Sequence, residues 1–151
     1  MSILNKKNFS VLSFLLSSGL LMTALFIEYF YDLIPCELCL KQRWVHVSII
    51  CISLICIICL RFNKKFKAFY IPIIILWLSS GILAFYHFGI EQQFWSGFSE
   101  CSANITFNKN TLNDILSRDP FGCNDVQFKF LNLSLAGWNA LLSLTIFIFL
   151  F

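Results

Sequence analysis

Apolar residues run along this chain in four long blocks, and the polar residues collect between them. The blocks cover residues 9–27, 44–60, 69–87 and 131–151. Each is close to the length of about 20 residues that an α-helix needs to cross the hydrocarbon core of a bilayer. The pattern predicts an all-α membrane protein, a four-transmembrane-helix bundle forming one integral membrane domain over residues 1–151. Its two outer loops are expected at about residues 28–43 and 88–130, and a short loop at about 61–68 joins the middle spans on the other side. Pro72 and Gly81 fall inside the third block, where a membrane helix tolerates them. The fourth block opens on Asn132-Leu133-Ser134-Leu135-Ala136-Gly137-Trp138-Asn139, an unusually polar start for a span.

Composition agrees with this reading. Of 151 residues, 58% are hydrophobic and only 13% charged, against about 25% charged in a soluble domain. The bilayer is therefore the solvent for most of the chain, and 18 phenylalanines suit a lipid-facing surface. A net charge of +3 is too small to suggest a nucleic-acid partner; its distribution says more. Lys6, Lys7, Arg61, Lys64, Lys65 and Lys67 lie on one side of the predicted spans with no acidic residue among them. Glu28, Asp32 and Glu37 lie in the first outer loop, and Glu91, Glu100, Asp114, Asp119 and Asp125 in the second. By the positive-inside rule both termini and the basic loop face the cytoplasm, and the two acidic loops face outward. The first block has the basic start of a signal peptide, but it is too long for one and no small-residue cleavage site follows, so it reads as an uncleaved helix.

Seven cysteines refine the picture. Cys51, Cys56 and Cys59 lie within the second apolar block, where free cysteine behaves as a small buried hydrophobe. Cys36, Cys39, Cys101 and Cys123 lie in the outer polar segments, enough for two pairs on the oxidising side of a membrane. The stretch Pro35-Cys36-Glu37-Leu38-Cys39-Leu40-Lys41-Gln42-Arg43 is the chemically dense one. Proline is tolerated just ahead of a helix, so a helix is predicted to begin near residues 36–38. Cys39 then falls in a first turn whose free N–H groups favour an anion, with Arg43 four residues on along the same face. Both features favour a thiolate on Cys39. Half a zinc site is the competing reading of a Cys-x-x-Cys, but it needs two more ligands. No second such pair exists, and Cys101, Cys123, His46 and His87 are scattered in sequence, so a redox dithiol is expected and no metal.

A dithiol that is to be reoxidised needs an electron acceptor. The sequence has no haem-attachment Cys-x-x-Cys-His, no flavin fingerprint and no metal-cluster motif. A lipid-soluble quinone is the economical acceptor, reaching Cys39 laterally from the bilayer while Arg43 steadies negative charge on its oxygen. Four stretches, in order, carry a resemblance: Pro35-Cys36-Glu37-Leu38-Cys39 with Gln42-Arg43; Tyr86-His87; Trp95-Ser96-Gly97-Phe98-Ser99-Glu100-Cys101; and Leu133-Ser134-Leu135-Ala136-Gly137-Trp138-Asn139. With four spans, the chain resembles the DsbB family of quinone-dependent thiol oxidases of the bacterial inner membrane over almost its whole length. The resemblance implies that Cys101 forms the mixed disulfide with a reduced, periplasmic DsbA-like protein, that Cys123 is the partner of Cys101, and that Cys36 exchanges with that second pair. It further implies that Cys39 reacts with ubiquinone or menaquinone, at a site lined by Arg43 and His87. The segment between Cys101 and Cys123 is short for that family, leaving less slack for swinging between partner and membrane.

Two other readings compete. A protein of the vitamin K epoxide reductase kind also joins loop cysteines to a Cys-x-x-Cys, but there the motif follows the loop pair, whereas here it comes first. A non-enzymatic membrane scaffold with structural disulfides leaves Arg43 beside Cys39 unexplained. His46 lies three residues beyond Arg43 within the membrane, where ionisable groups invite a functional reading, yet it matches no family motif. Glu28 and Glu91 read as solvated rim charges. Residues 111–118 place Leu112, Ile115 and Leu116 on one face of a short amphipathic helix in the long loop, and Phe94, Trp95 and Phe98 could dip into the interface.

Overall fold

The structure is a computed structural model that describes residues 6–61, 70–97, 122–123 and 126–150. Its helices are α1 (Lys6–Tyr31), α2 (Glu37–Arg61), α3 (Tyr70–Glu91) and α4 (Leu135–Leu150), with two short strands, β1 (Lys129–Phe130) and β2 (Leu133–Ser134), just ahead of α4. Three of these helices are long and apolar enough to cross a membrane, making this a multi-pass membrane protein. α4 is apolar throughout, but its 16 residues rise only about 24 Å. Cys101, the expected amphipathic helix over 111–118, Phe98 and the basic loop over 62–68 lie outside the described residues.

The helix ends are set by local hydrogen bonds that turn the chain back toward the bundle. α1 stops where Asp32 adopts a left-handed conformation, φ 50°, and the Leu33 N–H reaches back to the Glu28 carbonyl at 3.0 Å. α3 stops in the same way at Gln93, φ 60°, with Phe94 bonded to Gly89 at 2.9 Å and Gln93 to Ile90 at 3.0 Å. Both are helix-closing turns that satisfy carbonyls otherwise left bare. After the second, Trp95 folds back along α3. Its indole N–H donates to the Tyr86 carbonyl at 3.0 Å, its ring stacks on Tyr86, and it lies where any side chain at position 89 would have to go, which is why Gly89 stands there.

The fourth apolar block departs from expectation. The apolar pattern predicts a span from residue 131, but residues 131–134 belong to a hairpin instead. Leu131 and Asn132, at φ 51° and 62°, form its two-residue turn, pairing Phe130 with Leu133 and Lys129 with Ser134. Two consecutive left-handed residues match the twist of a tight hairpin. Ser134 then starts the helix, its hydroxyl accepting the Gly137 N–H at 3.1 Å as an N-cap.

The helices pack in sequence, α1 on α2, α2 on α3 and α3 on α4, while α1 and α4 barely touch. The bundle is therefore open along one side. Large apolar side chains face outward along its length, among them Met22, Phe26, Ile55, Ile75 and Phe149, as suits a surface solvated by lipid. Inside, serines 10, 13, 17, 53, 80 and 143 are buried, small side chains of the kind that let membrane helices approach closely. Phe9, Ile49, Ile73 and Trp77 make one buried cluster, and Cys36, Leu38, Ile90 and Cys123 make another. Cys56 is buried as a small hydrophobe, accepting the Ser10 hydroxyl at 3.2 Å, whereas Cys51 faces outward.

Candidate active site

The predicted start of α2 is where the structure puts it, and the detail decides the chemistry. Cys36 is the cap of the helix. Its carbonyl accepts the Leu40 N–H at 3.1 Å and its sulfur accepts the Cys39 N–H at 3.3 Å. Cys36 and Cys39 bring their sulfurs to 2.8 Å of one another. The Cys36 sulfur also lies 3.5 Å from His87 Nε2, brought across from the last turns of α3. The Cys36 thiol is pulled down to about 4 by its hydrogen bond to the Cys39 sulfur, then by His87 and the Cys39 backbone N–H, against the opposing effect of burial. The sequence favours a thiolate on Cys39, from its place in the first turn and from Arg43 four residues on. The sulfur held low is Cys36, first through its contact with the Cys39 sulfur, then through His87, and last through the Cys39 N–H that its capping position gives it.

Arg43 does not act as a free charge beside Cys39. Its guanidinium is paired with Glu28 of α1, and both side chains are about four-fifths buried, 19% and 20% exposed. Glu28 is thus not a solvated rim charge. It ties α1 to α2 where those helices flank a cavity of about 520 Å³. Cys36, Cys39, Gln42, Arg43, His46 and His87 supply the cavity's polar lining; Leu20, Ala24 and Ile27 of α1 and Ala136, Trp138 and Leu142 of α4 supply apolar wall. Because α1 and α4 barely touch, this cavity lies on the open side of the bundle.

Glu91 is the second acid that sequence reasoning misplaced. Its carboxylate receives the Ser134 hydroxyl and lies 3.8 Å from His87 Nε2, with a side chain only 8% exposed. It joins the end of α3 to the start of α4 and lines the same cavity. The fold places a carboxylate one helical turn beyond His87, a spacing visible in the sequence; that the acid would be buried was not.

Gln42 and Asn139 are further polar residues that no single-residue signal singled out. Gln42 Nε2 lies 2.9 Å from His87 Nδ1, and Asn139 Nδ2 donates to Gln42 Oε1 at 2.8 Å. Asn139 Oδ1 in turn faces His46 Nε2 at 3.0 Å. The polar opening of the fourth apolar block was the available cue.

The second cysteine pair is described at one member. Cys123 is disulfide-bonded, with its partner outside the described residues. It is buried against Cys36, Leu38 and Ile90, with Cys39 packed on the same cluster. The motif pair and Cys123 thus share one small apolar compartment at the head of α2. The two motif sulfurs and a His87 ring nitrogen lie within 4.8 Å of one another, donor types that zinc takes. Among the described residues these three donors form the group by themselves, one ligand fewer than a closed tetrahedral zinc site takes.

Comparison with known proteins gives concordant results. The family model for disulfide bond formation protein DsbB matches residues 6–151. An uncharacterized protein of Rickettsia prowazekii is 31% identical over 135 residues, which cover 86% of this chain and 77% of the relative. A protein of Aromatoleum aromaticum named Disulfide bond formation protein B is 28% identical over 131 residues, covering 83% of this chain and 78% of its own.

Proposed function

This chain belongs to the DsbB family of membrane disulfide bond formation proteins, and from that membership we propose that it reoxidises a periplasmic DsbA-like dithiol carrier and passes the electrons to a membrane quinone. The observation that carries the proposal is the cavity. It brings a dithiol at a helix start together with an open side between α1 and α4, and we infer that a lipid-dissolved molecule enters there. A water-soluble electron acceptor has no use for a lateral opening, whereas a lipid-dissolved one requires it.

The residues fit a quinone. The apolar walls from α1 and α4 suit its ring and tail, and Arg43, Gln42 and His87 offer hydrogen-bond donors near Cys39. A quinone supplies the two-electron acceptor. Arg43, already desolvated and held by Glu28, is a fixed positive charge for an oxygen gaining electron density. Cys101 takes the mixed disulfide with the carrier and Cys123 is its partner. Cys123 then exchanges with Cys36, against which it packs. In each exchange one disulfide breaks as another forms, so two electrons and two protons move from carrier to motif pair, and quinone plus these gives quinol. A low thiol pKa at Cys36 stabilises the reduced form of the motif pair and makes its disulfide the stronger oxidant, which favours electron flow toward it.

The segregated charges support an orientation with both termini cytoplasmic and the cysteine-bearing loops in the periplasm of a bacterial inner membrane. The test is turnover: purified protein with a reduced thioredoxin-fold carrier and ubiquinone or menaquinone, followed by quinone absorbance. Stoichiometric loss of quinone and of carrier thiols is expected. Carrier oxidation that proceeds at full rate without quinone, under anaerobic conditions, would overturn the proposal.

A further inference from the structure

His46 is buried in the interior of the bundle, 4% exposed, and nothing in the exchange chemistry uses it. Every polar atom of its ring is nevertheless engaged. Ser17 of α1 lies 3.1 Å from Nδ1 and 3.0 Å from the His46 carbonyl oxygen, and with its hydroxyl hydrogen on Nδ1 the neutral ring keeps its own hydrogen on Nε2. Asn139 Oδ1 of α4 lies 3.0 Å from Nε2, and Ser80 of α3 lies 3.4 Å from the same nitrogen. Ser143 donates to Asn139 Oδ1 at 3.0 Å and sits 3.1 Å from Ser80. All four helices thus contribute side chains to one polar knot in a lipid-solvated bundle. Any member left unsatisfied there costs about 1–3 kcal/mol, so the knot is held in one arrangement.

The knot connects to the sulfurs in one direction. An amide nitrogen can only donate, so Gln42 Nε2 donates to His87 Nδ1. The neutral His87 ring then carries its hydrogen on Nε2, the nitrogen 3.5 Å from the Cys36 sulfur. Gln42 is held in that sense because Asn139 Nδ2 donates to its oxygen. Asn139 is held because its own oxygen takes the Ser143 hydroxyl and faces His46 Nε2. Every donor along the line points toward Cys36, and hydrogen bonds so aligned polarise one another. The two amides do not readily pass protons, so the line orients and does not conduct.

We propose that His46 and Asn139 are positioning residues for His87: the line from His46 through Asn139 and Gln42 holds the His87 ring with its Nε2 hydrogen on Cys36, so side chains remote from the sulfurs govern how Cys36 reacts. The proposal rests on the redox reading of the motif pair but not on the identity of the electron acceptor. The groups that face Cys36 are Cys39 from α2, His87 and Glu91 from α3, and the disulfide-bonded Cys123; the Arg43–Glu28 pair lines the same cavity. None of these changes when His46 is replaced.

The test is the pH dependence of Cys36 alkylation in the purified, reduced, full-length protein, read by peptide mass spectrometry without quinone or carrier. His46→Phe keeps a ring against Trp77, whose ring centroid lies 5.8 Å away, but removes the N–H. His46→Gln loses the ring and keeps a donor that can reach Asn139. In His46→Phe the midpoint of Cys36 alkylation should rise by about 0.5–1 pH unit, and His46→Gln should stay near the native value. An unshifted midpoint in His46→Phe overturns the proposal, as does an equal shift in both variants, which would assign His46 to packing. If His46→Phe does not fold, Asn139→Leu cuts the line at its next link and must give the same rise; no rise there overturns the proposal too. A protein that passes this test yet reduces no quinone keeps the positioning role and loses only the acceptor.

Discussion

The Cys36 sulfur caps the helix that carries Cys39, accepting the Cys39 backbone N–H at 3.3 Å while lying 2.8 Å from the Cys39 sulfur. The two cysteines of the motif are therefore not equivalent, although only two residues separate them. Cys36 gathers the stabilisation that a helix start offers an anion, and His87 adds to it from α3. Both sulfurs line the cavity, so what sets Cys39 apart is that it donates its backbone N–H to Cys36 and does not itself cap the helix. This asymmetry matches a division of labour in which one sulfur exchanges with Cys123 and the other meets the electron acceptor.

Cys36 should remain reactive in acid. With its thiol pulled from the ordinary 9.0 down to about 4, its alkylation rate in the reduced protein should be nearly flat through neutral pH and fall by half near pH 4. The sign for stability follows from the depressed value. The thiolate stabilises the folded, reduced protein fully above pH 9.0, and that stabilisation is lost as pH falls through about 4. Mass-spectrometric alkylation profiles and unfolding of the reduced protein across pH check both statements. A Cys36 midpoint near 9 would remove the basis for the asymmetry.

Serine substitutions should separate the two half-reactions. Cys101→Ser should abolish capture of the carrier protein as a mixed disulfide. Cys39→Ser should leave that capture intact and bring quinone reduction to background, because Cys36 is then left without the second sulfur that a motif disulfide needs. Non-reducing electrophoresis reads the first and quinone absorbance the second. Native quinone turnover in Cys39→Ser would move the reacting sulfur elsewhere.

The Arg43–Glu28 pair should show strong coupling. Removing either partner leaves a largely buried charge unmatched, so Arg43→Ala and Glu28→Ala should each destabilise the protein by more than their double variant implies if effects were additive. A coupling energy of about 1–3 kcal/mol is expected, measured by unfolding in detergent as a double-mutant cycle. Arg43→Ala should also raise the apparent Michaelis constant for quinone, and Arg43→Lys should fall between it and the native protein, since lysine keeps a charge but not the planar fork.

Ser134→Ala should cost about 1–2 kcal/mol, more than an exposed cap. One hydroxyl both caps α4 through the Gly137 N–H and bonds the Glu91 carboxylate. Hydrogen exchange should show the loss concentrated in the first turn of α4 and the last turn of α3. Uniform loss across the bundle would assign Ser134 to general packing.

Much of the fold could be read directly. Long apolar blocks demand helices because a lipid-solvated backbone must satisfy its own hydrogen bonds, and this is a property of each block alone. The start of α2 was equally local, since Pro35 admits a helix only after it. The start of α4 was not legible. Leucine at position 131 is a poor candidate for a left-handed turn, and only its pairing neighbours and the Ser134 cap make that conformation the cheaper one.

The site divides along the same boundary. Sequence by itself set four cysteines apart, because the distribution of charge and polarity separates Cys36, Cys39, Cys101 and Cys123 from the cysteines of the second apolar block. Tertiary structure decided which motif sulfur is acidic, that Arg43 is held by Glu28, and that Glu91 is buried between α3 and α4. It also joined His46 to Asn139, 93 positions apart, in one polar line. The reason is physical. Transfer from water to lipid depends on a segment's own composition, whereas the orientation of a hydrogen bond or an ion pair depends on partners that only the packing of separate helices brings together.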